Sequence, residues 1–305
     1  MKIYTSVGQI VGRTPILELV NIEKENGLES KIFAKLEMLN PAGSSKDRVA
    51  RNILDKAEKE GKLKSGGTVI ESTSGNTGIG LAAVGVSRGY NVIIVMPDTM
   101  SRERIQIMEA YGTKVVLSDG ALGMKGANEL AQKIANETPN SFVAAQFENM
   151  ANPDAHYLTT GPEIYEDMNG QIDYFVCAVG TGGTISGVGK YLKKKNKSIK
   201  IVAVEPKNSP LLSGGVAGTH KIQGIGANFV PTTLNTQIYD EIITVSDEDA
   251  YKYTKEISQK EGVLAGISSG CTLCAALEIA KCEKDKNIVV IFPDTGTRYL
   301  SENIW

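Results

Sequence analysis

Cysteine, histidine and tryptophan are scarce in this chain, with four, two and one among 305 residues. Cys177, Cys271, Cys274 and Cys282 are too few and too unevenly spaced for a disulfide framework in a chain this long, so reduced thiols are expected. Cys271 and Cys274 form a C-x-x-C, but no second Cys or His pair lies nearby to complete a zinc site. Their segment has helical period, so they are assigned to helix packing and no metal is expected. The two histidines, His156 and His220, lack partners at metal or triad spacing and are read as structural or exposed. No G-x-S-x-G occurs, which removes that route to a serine hydrolase.

An excess of either charge is also missing. Lys plus Arg number 33 against 35 for Asp plus Glu, a net charge of -2, so a nucleic acid backbone is not an expected partner. No apolar run approaches the roughly 20 residues that cross a bilayer. The N-terminal stretch MKIYTSVGQIVGRTP lacks the apolar core of a secretory signal. A cytoplasmic protein without a membrane partner is expected.

What is present is an α/β pattern. Short Val- and Ile-rich runs alternate with stretches of helical period, as in β-α-β units whose parallel sheet is buried on both faces. The strand expectations are 31–37, 68–71, 92–96, 114–117, 142–145, 174–178, 200–204 and 287–292. The segment 47–60 places Val49, Ala50, Ile53, Leu54 and Ala57 on one helical face, and similar patterns recur at 101–111 and 247–260. A polar, Pro-containing stretch, FENMANPD at 147–154, marks a domain crossing. The expected division is a smaller domain, 39–150, and a larger one formed by 1–38 with 151–305.

Ligands of open α/β sheets bind beyond the carboxyl ends of the strands, so motifs just after strands carry the most information. In NPAGSSKDR, residues 40–48, a turn leads into a helix beginning at Lys46. The helix dipole disfavours a cation there, so the amine is more readily neutral, as Schiff-base chemistry requires. In ESTSGNTG, residues 71–78, hydroxyls, an amide and free N–H groups gather at a helix start, a site for a small anion such as a carboxylate. In VGTGGTISGVGK, residues 179–190, the N–H groups of Gly180, Thr181, Gly182, Gly183 and Thr184 can converge on a phosphate. That motif lacks a regular G-x-G-x-x-G, a ribose-binding acid and a G-K-[ST] ending, so a single phosphate fits better than a dinucleotide or nucleoside triphosphate. The fourth pair, AGISSGCT at 265–272 and FPDTGTRY at 292–299, reads as a helix start and a strand-end turn.

Together these segments, running from GRTP at 12–15 to PDTG at 293–296, resemble the fold-type II pyridoxal-phosphate enzymes, most closely the cysteine synthase (O-acetylserine sulfhydrylase) branch. The resemblance implies a two-domain, three-layer α/β/α fold with mostly parallel sheets, like the tryptophan synthase β-subunit. It implies that Lys46 holds pyridoxal 5'-phosphate as a Schiff base and that Asn76 hydrogen-bonds the cofactor ring oxygen. Gly180, Thr181, Gly182, Gly183 and Thr184 would bind the phosphate, and Ser268, chosen over Ser269 by its offset from Gly270, would face the pyridine nitrogen. Thr73, Ser74, Gly75, Thr77, Gln146 and Gly224 would contact the substrate.

The activity so implied makes L-cysteine and acetate from O-acetyl-L-serine and sulfide through an α-aminoacrylate. Related alternatives are a cysteine-consuming, sulfide-releasing enzyme, a cystathionine- or lanthionine-forming one, or a serine/threonine dehydratase. A non-enzyme alternative is an inactive cofactor-binding regulatory partner, against which the presence of Lys46 speaks. The family is commonly homodimeric and can accept the C-terminal peptide of serine acetyltransferase. Asn228 stands where the related synthases usually show Gly, at a loop that the resemblance places by the substrate entrance.

Overall fold

The computed structural model describes residues 3–73, 75–99 and 102–305. Its strands are β1 (Ile16–Glu18), β2 (Lys31–Leu36), β3 (Thr68–Ser72), β4 (Asn91–Pro97), β5 (Lys114–Ser118), β6 (Ser141–Val143), β7 (Tyr174–Ala178), β8 (Lys200–Pro206), β9 (Glu241–Val245) and β10 (Asn287–Phe292). The helices are α1 (Val20–Glu25), α2 (Lys46–Lys59), α3 (Asn76–Ser87), α4 (Arg102–Ala110), α5 (Gly123–Glu137), α6 (Ala151–Ala155), α7 (Gly161–Asp167), α8 (Gly183–Lys195), α9 (Asp247–Glu261) and α10 (Ile267–Cys282). A π-helical turn, His156–Thr160, joins α6 to α7.

The chain divides into two units, 1–11 with 40–152 and 12–39 with 153–305. Residues 1–11 therefore group with the smaller unit, whereas the sequence pattern places 1–38 with the larger. The cause is a local attachment that leaves no periodic trace. The Arg51 guanidinium on α2 donates to the carbonyls of Gly8 at 3.4 Å and Val11 at 3.1 Å, and Val7 packs on the apolar cluster beneath.

The first unit is built on a four-stranded sheet in the order β5-β4-β3-β6, with every pairing parallel. One face packs on the buried side of α2, where Val49, Ala50, Ile53, Leu54 and Ala57 join Ile79, Leu81 and Val84 of α3. The other face, around Ile70 and Val95, packs on Ala127 and Ala131 of α5. The second unit has six strands in the order β1-β2-β10-β7-β8-β9, parallel except for the β1–β2 edge pair. Its two faces are covered by separate apolar clusters, one including α9 and α10 and the other α7 and α8. Burial on both faces explains the unbroken Val/Ile character of the central strands.

Helix ends follow local chemistry. Ser246 caps α9 by accepting from Asp249 N at 3.0 Å, three acids occupy the first turn, and Gly262 at φ 69° ends it. Among the described residues no helix is long and apolar enough to cross a membrane.

Candidate active site

In the first unit the candidate residues gather at the carboxyl ends of strands and the starts of two helices. The turn before α2 is held by Asp47, whose carboxylate accepts from Ala42 N at 2.6 Å and Ser44 Oγ at 3.4 Å. Gly43, at φ 82°, lets the chain reverse there, and its N–H donates to Asn40 O at 2.8 Å. Lys46 is thus the first residue of α2, half-buried, on a backbone fixed from both sides. Gly80 of α3 lies against it: a Cβ at position 80 would stand 3.0 Å from the Lys46 carbonyl oxygen. The absence of that Cβ brings the two helix starts together.

β3 ends at Ser72 and its chain turns into α3, which opens at Asn76. Thr73 and Thr77 are buried, and the Thr77 hydroxyl donates to Gln146 Oε1 at 2.5 Å. Gly75 N donates to Thr73 Oγ1 at 3.3 Å. Ser74 lies outside the described residues. Five candidates, Thr73, Gly75, Asn76, Thr77 and Gln146, are therefore brought together around one helix N-terminus, a place that favours a carboxylate.

Gln146 follows the parallel neighbour β6, and the preceding Ala145 has φ 51°, an unusual conformation for alanine. Glu71 explains why the chain tolerates it. This fully enclosed carboxyl at the end of β3 accepts from the backbone N–H groups of Ala145 and Gln146 and from the Gln146 side-chain amide. Gln146 is consequently clamped, its amide N–H on Glu71 and its oxygen on the Thr77 hydroxyl.

Burial pushes the Glu71 carboxyl up to about 8, in spite of the three donors, and its Oε2 has no hydrogen-bond partner. A raised folded-state value means that Glu71 contributes stability fully below its ordinary value of 4.5 and loses that contribution as pH rises to about 8. Within that window each pH unit removes at most about 1.4 kcal/mol. Glu71→Gln, which copies the neutral acid, should therefore flatten the urea-unfolding stability profile across the window. Parallel profiles for variant and parent would show that the group titrates normally.

In the second unit β7 runs into Gly180–Thr184 and then α8. Gly182 is left-handed at φ 77°, which turns successive N–H groups toward one side of the loop. The loop is fastened from behind. Thr233 Oγ1 donates to Thr181 O at 2.6 Å, Ser186 Oγ accepts from Asn235 N at 2.8 Å, and Gly226 N donates to Val179 O at 3.0 Å. Gly224 packs so closely on Gly180 that no side chain fits between them. The result is a glycine-rich turn, held by its neighbours, at the N-terminal end of α8, a place whose N–H groups suit a phosphate.

α10 begins at Ile267, and Thr272 in its second turn lies between the helix and the carboxyl end of β10, its Oγ1 2.9 Å from Ser269 O and 3.1 Å from Ile291 O. Ser268 is 3% exposed, whereas Ser269 has 0% exposure and an Oγ without a hydrogen-bond partner. PDTG closes the same region, with Gly296 N donating to Leu264 O at 2.8 Å and Tyr299 Oη to Asp294 at 2.6 Å.

Asn228 takes the left-handed conformation at φ 62°, which Asn tolerates better than most residues, and accepts from Ser209 Oγ at 3.0 Å. Burial pushes the Cys271 thiol well up and Cys274 to about 12, so both stay protonated near neutrality. Two side chains escape sequence reasoning. Glu71 stands inside a quoted motif yet draws notice only once its burial is known. His156 turns out to contact Thr184, with Nε2 3.2 Å from the hydroxyl.

The chain is similar to known proteins in sequence and in fold. The family model described as pyridoxal-phosphate dependent enzyme matches residues 7–294. A cysteine synthase of Staphylococcus aureus is 49% identical over 98% of this chain and 96% of that protein. The crystal structure of cysteine synthase from Entamoeba histolytica superposes with a TM-score of 0.96 at 44% identity, covering 100% of this chain and 91% of that one. A hydrogen sulfide-producing enzyme of Fusobacterium nucleatum superposes with a TM-score of 0.93 at 46% identity, covering 97% and 100%.

Proposed function

The chain belongs to the pyridoxal-phosphate dependent enzyme family, and from that premise we propose that it makes L-cysteine and acetate from O-acetyl-L-serine and sulfide. The observation that carries the reading is the start of α2, where a lysine occupies the first helical position on a turn locked by Asp47. Beside it, α3 opens with an anion site built from Thr73, Gly75, Asn76, Thr77 and Gln146.

The residues present fit pyridoxal phosphate: an amine to attach it, a glycine-rich helix start for its phosphate and a hydroxyl for its ring nitrogen. When bound, this cofactor supplies an electron sink for charge at the substrate α-carbon. Lys46 would hold the cofactor, and its amine would take the substrate α-proton and return it. Thr73, Ser74, Gln146 and the backbone N–H of Thr77, whose hydroxyl is given to Gln146, would hold the substrate carboxylate, aided by the positive end of α3. Asn76 would hydrogen-bond the ring oxygen and the N–H groups of Gly180 to Thr184 would hold the phosphate, while Gly224, which packs on Gly180, would contact the substrate. Ser268 offers the ring nitrogen a neutral hydroxyl in place of a carboxylate, which favours replacement at the β-carbon over transamination.

Sulfide measurement tests the reading. The holoenzyme should consume sulfide in the presence of O-acetylserine faster than it releases sulfide from cysteine. The reverse ratio would favour the sulfide-releasing activity, the second reading, for which likeness to the Fusobacterium enzyme speaks. A homodimer in the cytoplasm, able to receive the C-terminal peptide of serine acetyltransferase, completes the proposal.

A further inference from the structure

His156 has no part in the reading above, yet it is fully buried and directly contacts the loop assigned to the phosphate. Its Nδ1 lies 2.9 Å from Thr160 Oγ1 and its Nε2 3.2 Å from Thr184 Oγ1. We propose that His156 is a positioning residue that orients the Thr184 hydroxyl as a donor toward a phosphate in the loop 180–184. This rests on that loop being the phosphate seat.

The argument is one of hydrogen-bond direction. A phosphate oxygen only accepts, so a hydroxyl that serves it must donate its single hydrogen there and accept from elsewhere. His156 meets the second requirement when its Nε2 carries hydrogen and gives it to Thr184 Oγ1. Nδ1 then accepts from the Thr160 hydroxyl, so the chain Thr160, His156, Thr184 points one way and delivers a donor at the start of α8. Each bond polarises the next in such a chain.

The backbone fixes the ring independently. Residues 156–160 form a π-helical turn, a distortion that is rare and concentrated at functional sites. α8 lies directly against this turn because position 187 is Gly. A Cβ there would stand 2.8 Å from both His156 Cβ and Tyr157 N, and would overlap the Pro153 carbonyl. On the other side a Cβ at Gly161 would meet Tyr191 Cβ at 2.8 Å. Two glycines thus let the turn and helix meet closely enough for the imidazole to reach Thr184.

Two amide substitutions separate the ring's two ends. His156→Gln keeps a donor near Nε2, whereas His156→Asn keeps one only near Nδ1. Apoprotein would be titrated with pyridoxal phosphate and, separately, with pyridoxal, which lacks the phosphate. His156→Asn should weaken pyridoxal phosphate about tenfold, the worth of one hydrogen bond to a charged group, and leave pyridoxal unchanged. His156→Gln should restore most of the loss.

In a Thr184→Val background, His156→Asn should have no further effect. Equal losses for both ligands, or equal behaviour of the two amides, would overturn the proposal and leave His156 a packing residue. Should neither variant fold, Thr160→Val tests the far end of the chain, and an unchanged ratio of the two affinities would be equally fatal. Failure of the underlying reading looks different: Thr184→Val by itself would then leave the pyridoxal phosphate to pyridoxal ratio untouched.

Discussion

Lys46→Ala is expected to remove turnover while leaving the protein folded. General acid–base assistance alone is worth about 10²–10⁴-fold, and a residue that also attaches the cofactor should exceed that range when deleted. The fold should survive for local reasons. Asp47 and backbone groups hold the turn before α2, and Val49, Ala50, Ile53, Leu54 and Ala57 on its buried face anchor the helix. Alanine is also a better helix former than lysine. Borohydride treatment followed by intact mass measurement checks the attachment directly. Parent protein should retain the cofactor mass covalently on the peptide containing position 46, and the variant should not. Turnover at the parent rate by a correctly folded variant would remove Lys46 from the mechanism.

The sequence shows the central architecture well because a parallel sheet buried on both faces leaves unbroken apolar runs. Expectations at 174–178 and 287–292 match β7 and β10 to the residue. β1 and β9 leave weaker traces. β1 has three half-buried residues at an antiparallel edge, and β9 buries only Ile243 and Val245 fully, so neither resembles a core strand. The expectation at 142–145 runs too far because Ala145 turns left-handed at φ 51°, a choice made by Glu71 and not by any local propensity.

The candidate site shows the same division. Lys46, the start of α3 and the loop 180–184 lie after strands with glycine and hydroxyl residues in suggestive order, so chemistry marks them locally. Glu71 and His156 act through partners far along the chain, at Ala145 and Gln146 in one case and Thr184 in the other. No spacing rule in a single sequence encodes such pairings. Ser268 and Ser269 are both buried at the start of α10, so their adjacency in the sequence is matched by their adjacency in the fold.

Gly182→Ala should cost the protein its grip on pyridoxal phosphate, and two separable effects contribute. Position 182 has φ 77°, where a Cβ costs about 1–2 kcal/mol. The same Cβ would stand 2.5 Å from Leu234 Cβ and 2.8 Å from Leu234 Cα, so backbone as well as side chain must move, at about 1–3 kcal/mol more. The loop's N–H groups can relieve this strain only by leaving the arrangement that holds a phosphate, and affinity should fall about a hundredfold.

Gly214→Ala supplies the comparison, since φ is 90° there with nothing within 4 Å of a Cβ. It should lower the melting temperature through backbone strain and leave cofactor affinity unchanged. Combining Gly182→Ala with Leu234→Ala removes part of the collision but none of the dihedral strain, so only part of the affinity should return. If Gly182→Ala lowered the melting temperature as Gly214→Ala does while pyridoxal phosphate bound as tightly as before, this loop would not be where the phosphate rests.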